Sequence, residues 1–254
     1  MAGNEGRHLE IVSNIIGSLR RDDAVTQVVK GVYWTAVVSR WCGLASTMMA
    51  ERCLDEDGEE TALSSPTEST ALQLARLALS SEISRASLGM AAINSLIDVD
   101  TSRCSDINAG DMLLREGAGR NVSVIGHFPF TEELRKVAGH LWVIEKRQWP
   151  GDHPEGDAAE YLPRSDVVAI SSTTLINHTL FRLLPLCPKK SLKILLGPTT
   201  PLTEVLFDYG IDVVSGSRVV DRERALKYIG EGVNFRQLKR TGAVRLLTMT
   251  RQSG

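Results

Sequence analysis

Residues 122–130 read VSVIGHFPF, an apolar run that stops at a glycine and continues into aromatic residues and a proline. Four later apolar runs also stop at glycine, at an acidic residue or at small polar residues, and they cover residues 141–144, 167–170, 194–196 and 213–214. Helix-like stretches lie between most of these runs. Because this alternation is typical of βαβ units, the sequence predicts an α/β fold with a parallel sheet buried on both faces.

The bulk composition narrows the classes of function. The 254 residues suffice for one large domain or two modest ones, and the net charge of −2 does not favour a broad nucleic-acid surface. No apolar stretch reaches the length that spans a membrane, and the first residues lack an apolar signal core. We therefore expect a cytoplasmic protein with no nucleic-acid partner and no membrane partner.

Common short motifs are missing from the sequence. The four cysteines form no CxxC pair, which excludes a zinc ribbon and a thioredoxin-like motif. We expect Cys42, Cys53, Cys104 and Cys187 to be reduced, partly buried thiols. The chain also has no Walker A loop and no GxSxG nucleophile elbow.

The first half of the chain predicts a separate α+β unit. Residues 25–39 are rich in Val, Tyr, Trp and Thr and predict one long strand or two short ones, and residues 41–49 could add another. The acidic segment 55–60 is expected to be an exposed turn. Two helices follow, over residues 66–79 and 81–98, and strands followed by helices make an α+β arrangement.

A polar stretch at residues 98–106 sets the predicted domain boundary. It separates an α+β domain over residues 1–104 from the α/β domain over residues 105–254. Further helices are predicted over residues 8–20, 107–116, 131–138, 177–186, 202–209 and 221–231, with a last strand over residues 244–248. The long connection at residues 146–164 is rich in Pro and Gly, and it predicts either a binding loop or a surface excursion with one short helix.

Ligands of open parallel sheets bind outside the carboxyl ends of the strands, and the unusual residues of this chain follow those ends. Gly126 permits a tight turn or a close approach of the backbone to a ligand. A full dinucleotide fingerprint has three glycines, so an ordinary NAD or FAD pyrophosphate site is not expected. Phe128 and Phe130 could stack on a planar ligand or plug the end of the sheet. Plugging is favoured because aromatic residues usually serve burial.

Glu145 is the acidic residue of this predicted edge. It lies nineteen positions after Gly126, at the end of the second predicted strand. Rossmann-type folds place there the acid that binds ribose hydroxyls. The structural alternative is a salt bridge to Lys146, to Arg147 or to a helix end.

Two further strand ends carry polar or rigid strings. Thr173, Thr174, Asn177 and Thr179 gather where hydroxyl and helix N–H groups could bind an anion, and N-capping by Thr174 or Asn177 is the simpler explanation for either residue alone. The string GPTTP at residues 197–201 forms a rigid turn, because its prolines preset the backbone. Such a turn suits a ligand wall and also a plain connector.

Asn94 and several histidines complete the candidates. Asn94 lies beside the apolar seam of a predicted helix, where it either satisfies a core hydrogen bond or reaches a ligand. A metal site would need several of the following side chains to converge: His127, Glu145, Asp152, His153 and His178. No local ligand spacing such as HxxxH supports one.

The order of these strings resembles a known family, the one described as putative heavy-metal chelation. The resemblance is carried by Gly89 and Asn94, GHFPF at residues 126–130, Glu145, NHT at residues 177–179, GPTTP at residues 197–201 and Gly216. In the front segment it is carried by Gly31, WTAV at residues 34–37 and GLA at residues 43–45. It covers nearly the whole chain.

The resemblance implies a domain similar to the enolase N-terminal fold, followed by a Rossmann-like domain with a pocket between them. It also implies heavy-metal chelation, or condensation or hydrolysis of pterin-, flavin- or siderophore-like molecules. Carried over residue by residue, the implied pocket comprises Asn94, Gly126, Phe128, Pro129, Glu145, Asn177, Thr179, Gly197, Pro198, Pro201 and Gly216.

The preferred functional hypothesis is a bound small molecule that is pterin-, flavin-, siderophore- or nucleotide-like. Glu145 would bind a hydroxyl or act as a general base. Asn94 would be the second catalytic residue and would orient the ligand. The expected ligand-binding residues are Gly126, His127, Phe128, Pro129, Thr173, Thr174, Asn177, Thr179, Gly197, Pro198, Thr199, Pro201 and Gly216.

Two alternatives stay open. One is a non-catalytic binder of a heavy metal or a metal–chelator complex, with His127, Glu145 and His178 as candidate ligands. The other is a methyltransferase-like use of S-adenosylmethionine, which Gly126 and Glu145 allow. The sequence assigns neither a cofactor nor a reaction. A homo-oligomer is expected, because cyclic dimers are the commonest assembly.

Overall fold

A computed structural model of the protein describes residues 6–49 and 65–252. The expected turn at residues 55–60 and Cys53 lie outside the described residues. The helices are α1 (Glu10–Gly17), α2 (Ala71–Ala75), α3 (Ile83–Leu96), α4 (Ala109–Gly117), α5 (Thr131–Val137), α6 (Ala158–Tyr161), α7 (Thr173–Ile176), α8 (Leu180–Leu183), α9 (Val205–Asp208), α10 (Arg222–Gly230) and α11 (Phe235–Arg240). The strands are β1 (Gln27–Lys30), β2 (Trp34–Val38), β3 (Cys42–Ser46), β4 (Cys104–Ser105), β5 (Asn121–Ile125), β6 (His140–Ile144), β7 (Val167–Ser171), β8 (Leu192–Leu196), β9 (Val213–Val219) and β10 (Val244–Thr250).

The larger sheet has the spatial order β4-β10-β9-β8-β7-β5-β6. Strands β6, β5, β7, β8 and β9 are parallel neighbours, and β10 pairs antiparallel with β4. Numbered along the chain, the parallel strands have the order 2-1-3-4-5, which is the order of flavodoxin-like doubly wound sheets. The predicted parallel α/β sheet is confirmed, and its strand order reverses between β5 and β7.

Burial of these strands explains their apolar sequences. The side chains without solvent exposure include Val122, Val124, Val167, Ala169 and Ile194. Successive positions of β5 and β7 are buried, as expected for strands covered on both faces. Ser123 is a polar exception within β5, and its hydroxyl is satisfied by Ser165, with the two Oγ atoms 2.7 Å apart.

The chain divides into two compact units. The large-sheet unit comprises residues 6–11, 100–216 and 246–252 of the described chain, and the small-sheet unit comprises residues 12–49, 65–99 and 217–245. The segment 217–245, which carries α10 and α11, therefore belongs with the front of the chain. The boundary between residues 104 and 105 stays a prediction.

The small-sheet unit is built on the antiparallel order β1-β2-β3. Residues 25–39 form two short strands, β1 and β2, with Gly31 at the turn between them. A Cβ atom on Gly31 would overlap the carbonyl oxygen of Ile229, which explains a glycine at this turn. The core of the unit packs β2 and β3 against α10 and α11, through Trp34, Leu44, Leu226 and Leu238 among others.

Two predicted helices differ from the observed ones, and local capping explains the first difference. The helix predicted over residues 66–79 is interrupted, because Thr70 has an extended backbone and caps α2. Its hydroxyl accepts the N–H of Gln73, whose side chain accepts the N–H of Thr70 in return, which forms a capping box. The helix predicted over residues 8–20 is shorter, with α1 ending at Gly17.

The thiols of half-buried Cys42 and buried Cys187 are not nucleophiles at neutral pH. Burial raises the pKa of Cys42 to about 12 and that of Cys187 to about 11, so both are protonated. In the part of the chain that the structure describes, no helix combines the length and the apolar character that crossing a membrane requires.

Candidate functional site

Two glycines that the sequence predicts to bind a ligand hold the strand ends of the large-sheet unit close together. A Cβ atom on Gly126 would stand 3.0 Å from the Cβ of Ser171, and one on Gly197 would stand 2.7 Å from the Oγ of Ser172. Gly126 and Gly197 also have φ angles of 103° and 128°, which L side chains rarely adopt. These two glycines therefore let the loops after β5, β7 and β8 meet at the carboxyl ends of the parallel strands, which we call the carboxyl edge.

Gly216 has a related packing role within β9. A Cβ atom there would stand 2.5 Å from the carbonyl oxygen of Thr200 and 3.2 Å from the Cγ of Leu202. The loop after β8 thus lies directly on β9. Within this loop Thr199, Thr200 and Pro201 are buried, while Gly197 and Pro198 are half-buried.

The loop after β5 ends in an aromatic plug. The rings of Phe128 and Phe130 stack with centroids 5.1 Å apart and planes 8° apart, and both pack on the core of the sheet. Pro129 between them is exposed. This geometry favours the interpretation that the two rings plug the end of the sheet. Stacking of Phe128 on a ligand stays a prediction. Thr131 is the first residue of α5, and its Oγ1 accepts the N–H of Phe128.

The loop after β7 is a network of short polar contacts. The Oγ1 of Thr174 donates to the carbonyl of Ser171 at 2.6 Å, and the Oγ1 of Thr173 lies 2.8 Å from the Oγ of Ser171. The Oδ1 of Asn177 accepts both the N–H and the hydroxyl of Thr179, at 3.2 and 2.7 Å. Neither Thr174 nor Asn177 caps a helix through its side chain, so the capping interpretation is wrong.

His178 explains why the helix predicted over residues 177–186 begins late. Its φ of 56° lies in the left-handed region, and among the described residues it is the non-glycine residue with a positive φ. A helix cannot continue through such a residue, and α8 begins only at Leu180. The ring of His178 contacts the ring of His8 edge-on, with centroids 6.0 Å apart.

Glu145 follows β6 directly and is half-buried. Its Oε1 accepts the main-chain N–H of Lys146 at 2.7 Å. An ionised carboxylate has about four lone-pair sites, so this local bond leaves capacity to accept a ligand N–H or O–H. Lys146 pairs instead with Glu155, with Nζ and Oε2 separated by 3.5 Å.

The long loop after β6 is ordered by a tight turn. Asp152 donates its N–H to the carbonyl of Trp149 at 2.9 Å, with Pro150 and Gly151 at the centre and a Gly151 φ of 93°. Proline followed by a glycine of positive φ is the pattern of a type II turn. The next residue, His153, bonds to the main chain of β6 at Val143 and Glu145, which fixes the turn beside the carboxyl end of that strand.

This turn brings an acid and an indole against His127. The Oδ2 of Asp152 lies 3.4 Å from the Nδ1 of His127, and the Asp152 side chain is 1% exposed. The ring of Trp149 stacks on the imidazole, with centroids 4.7 Å apart and planes 25° apart. The carboxyl edge therefore contains an imidazole–carboxylate pair. The sequence suggested these two residues together only as possible metal ligands, although the string WPGD at residues 149–152 indicates the turn that brings them together.

The other candidate metal ligands lie in separate pairs. The Nδ1 of His153 is 3.7 Å from the Oδ2 of Asp157, and His178 contacts His8. Across residues 6–49 and 65–252, no three His, Cys, Asp or Glu side chains lie close enough together to hold one ion. As placed, the described donors do not form a complete metal centre.

Asn94 lies on α3 in the small-sheet unit. Its Nδ2 donates to the carbonyl of Leu44 at 2.8 Å, which ties α3 to β3. This bond supplies the structural role that the sequence allowed for Asn94. A role of Asn94 in catalysis stays a prediction.

Fold and site geometry define a doubly wound α/β protein with a closely packed carboxyl edge and a smaller α+β unit. Comparison with known families makes the assignment specific. The DUF364 family, described as "Putative heavy-metal chelation", matches residues 108–248, and the DUF4213 family, with the same description, matches residues 13–97. The chain belongs to the DUF364 family.

Solved and curated relatives agree with this assignment. A crystal structure of a DUF364-family protein of unknown function from Desulfitobacterium hafniense is 26% identical, with a TM-score of 0.78 over 98% of this chain and 100% of that one. A DUF364-family structure from Pyrococcus horikoshii has the same fold, at 20% identity and a TM-score of 0.79 over 96% and 100% of the two chains. An uncharacterized protein of Methanocaldococcus jannaschii is 32% identical over 60% of this chain, a match that spans 62% of that protein's length.

Proposed function

We propose that the protein binds a small molecule at the carboxyl edge of the large sheet, beside the ends of β5 and β7. The observation that carries the proposal is the reversal of strand order between β5 and β7. In doubly wound sheets the loops diverge at such a reversal, and ligands bind in the resulting crevice. The Gly126 loop and the Ser171–Thr179 segment follow these two strands.

The chemistry of this edge suits a ligand that is neutral or rich in hydrogen-bond groups. Thr173 and Asn177 contribute hydroxyl and amide groups, and Glu145 contributes a carboxylate that retains accepting capacity. A pterin-, flavin-, siderophore- or nucleotide-like molecule offers matching donors and acceptors. Condensation or hydrolysis of such a molecule is part of this proposal, with Glu145 as the general base.

A second candidate is binding of a heavy metal or of a metal–chelator complex. The family description favours it, and so does the placement of His127 beside a buried carboxylate, since metal-binding imidazoles usually donate their second N–H to such a group. A chelator that brings its own donor atoms could complete the coordination. His127, Glu145 and His178 are the side chains to test.

A thermal-shift screen distinguishes the two candidates. One ligand set contains nucleotides, S-adenosylmethionine, pterins and flavins, and the other contains divalent metals. A ligand at a hundred times its dissociation constant adds about 2.7 kcal/mol of stability, which corresponds to several degrees for a chain of this size. We expect a member of the organic set to raise the midpoint of unfolding.

The variant Glu145→Gln should remove most of that ligand-induced rise, since a neutral amide replaces the accepting carboxylate. Glu133→Gln is the matched control, because Glu133 is an exposed carboxylate on α5 of the same unit. Equal ligand-induced shifts in both variants would contradict a role for Glu145. A shift with metals alone that disappears in His127→Gln would replace the small-molecule proposal with the metal candidate.

The proposal also covers the cellular location, the assembly and the partners of the protein. We propose a cytoplasmic location, a homo-oligomeric assembly, and no nucleic-acid or membrane partner. Size-exclusion chromatography with light scattering tests the assembly, and a monomer at all concentrations would contradict it.

A further inference from the structure

The buried pair of His127 and Asp152 is arranged to control one proton. The Nδ1 of His127 is itself buried and, among the described residues, has no hydrogen-bond partner of good geometry, while the Oδ2 of Asp152 approaches it at 3.4 Å. That oxygen also accepts the N–H of Trp149 at 3.0 Å, which fixes the carboxylate. The His127 side chain is 26% exposed, so its exposed surface belongs to the other atoms of the side chain.

This arrangement gives the two ring nitrogens different roles. A carboxylate facing Nδ1 favours the neutral tautomer that carries its proton there, which leaves a lone pair on Nε2. The same carboxylate lies beside the ring on which a positive charge forms when Nε2 takes up a proton. The stacked indole of Trp149 holds the ring plane. Contacts of this kind are often long without ligand and tighten in the complex, which accommodates the 3.4 Å separation.

We propose that His127 is a second proton acceptor at the carboxyl edge, in addition to Glu145, and that Asp152 is its positioning residue. The ligand would then carry a weakly acidic N–H or O–H group. The lone pair of Nε2 takes the proton, the electron pair of the broken N–H or O–H bond stays on the ligand atom, and the imidazolium forms beside Asp152. The step needs no oxidant or further reactant. This inference rests on the proposed function, since it assigns a proton transfer to the same edge.

The chain contains a matched comparison for His127. His140 also stacks on a tryptophan, Trp142, with centroids 5.9 Å apart and planes 13° apart. Its Nδ1 lies 3.1 Å from the Oδ1 of Asn121, a neutral amide where His127 has a carboxylate. His140 is the more exposed of the two. A higher reactivity at His127 would therefore reflect its electronic environment and not its accessibility.

Diethyl pyrocarbonate acylates the unprotonated imidazole nitrogen and provides the test, with rates at each histidine read by mass spectrometry. We expect His127 to react faster than His140 in the native protein at alkaline pH, where histidine side chains are unprotonated and their rates compare nucleophilicity. Asp152→Asn should slow the reaction of His127 about tenfold, because loss of the group that orients a functional imidazole commonly costs a factor of that order, and should leave His140 unchanged. Asp157→Asn, which removes the carboxylate beside His153, is the control and should leave His127 unchanged.

Nitrogen-15 spectra of the native protein decide the tautomer independently of any variant. The neutral ring of His127 should carry its proton on Nδ1, and a proton on Nε2 would overturn the proposal. Equal acylation rates at His127 and His140 would also overturn it. Protection of His127 by Zn²⁺ alone would identify a metal ligand instead of a proton acceptor. Because these measurements use no organic ligand, they can fail while the small-molecule proposal survives, and the reverse also holds.

Discussion

Replacing Gly89 by alanine is expected to lower the free energy of unfolding by about 3 kcal/mol or more. Gly89 lies inside α3, where a Cβ atom would overlap the backbone nitrogen of Ala78 and stand 2.6 Å from its Cα. The obstacle is main chain of the short 3-10 helix Arg76–Leu79, which has no rotamer to change. Urea denaturation followed by circular dichroism measures the loss.

Gly230→Ala is the matched control for this prediction. Gly230 is the last residue of α10, a helix of the same small-sheet unit, and a Cβ atom there would meet nothing within 4 Å. Alanine has the higher helix propensity, so this variant should be neutral or more stable by up to about 1 kcal/mol. Equal changes of stability in the two variants would contradict the close backbone contact between α3 and the 3-10 helix.

Gly126→Ala is expected to cost about 3 kcal/mol and to weaken ligand binding. Two effects add at this position: a φ of 103°, which alanine rarely adopts, and the 3.0 Å approach to the Cβ of Ser171. Relief of that contact would move the loop after β5 away from the loop after β7. The free energy of unfolding, measured by urea denaturation, and the ligand-induced thermal shift should therefore both decrease.

Gly210→Ala separates the two effects. Gly210 has a φ of 83° in the same unit, but a Cβ atom on it would meet nothing within 4 Å. Its substitution should cost only the backbone strain, about 1–2 kcal/mol, and leave the ligand-induced shift intact. Equal losses of ligand-induced shift in the two variants would show that the contact between the β5 and β7 loops is irrelevant to binding.

The sheet could be predicted from the sequence because each strand that is buried on both faces is a short apolar run. Such a run can be recognised without knowing which strands lie beside it. The strand order, and with it the reversal between β5 and β7, depends on long-range pairing that periodicity does not encode. The placement of residues 217–245 in the small-sheet unit could not be predicted for the same reason. Helix α11 was also missed, although Asn234 and Gln237 form a capping box at its start.

The meeting of Gly126 and Gly197 with the segment after β7 could be predicted from the sequence, but most of the individual contacts could not. Gly126 and Gly197 were expected near a ligand, and the structure shows that they first serve contacts between neighbouring loops. The late start of α8 follows from the left-handed backbone of His178, which sequence alone does not signal. Asp152 and His127 are twenty-five positions apart, so only the turn after β6 brings them together.

Hydrogen–deuterium exchange of the protein with and without the most stabilising organic compound of the screen tests the central claim most directly. A ligand at the carboxyl edge should slow exchange in residues 126–131, 171–179 and 197–201. The amino edge, at residues 118–121 and 138–140, should be unaffected and serves as the internal reference. Protection confined to the amino edge or to residues 25–49 would contradict a binding site at the strand ends.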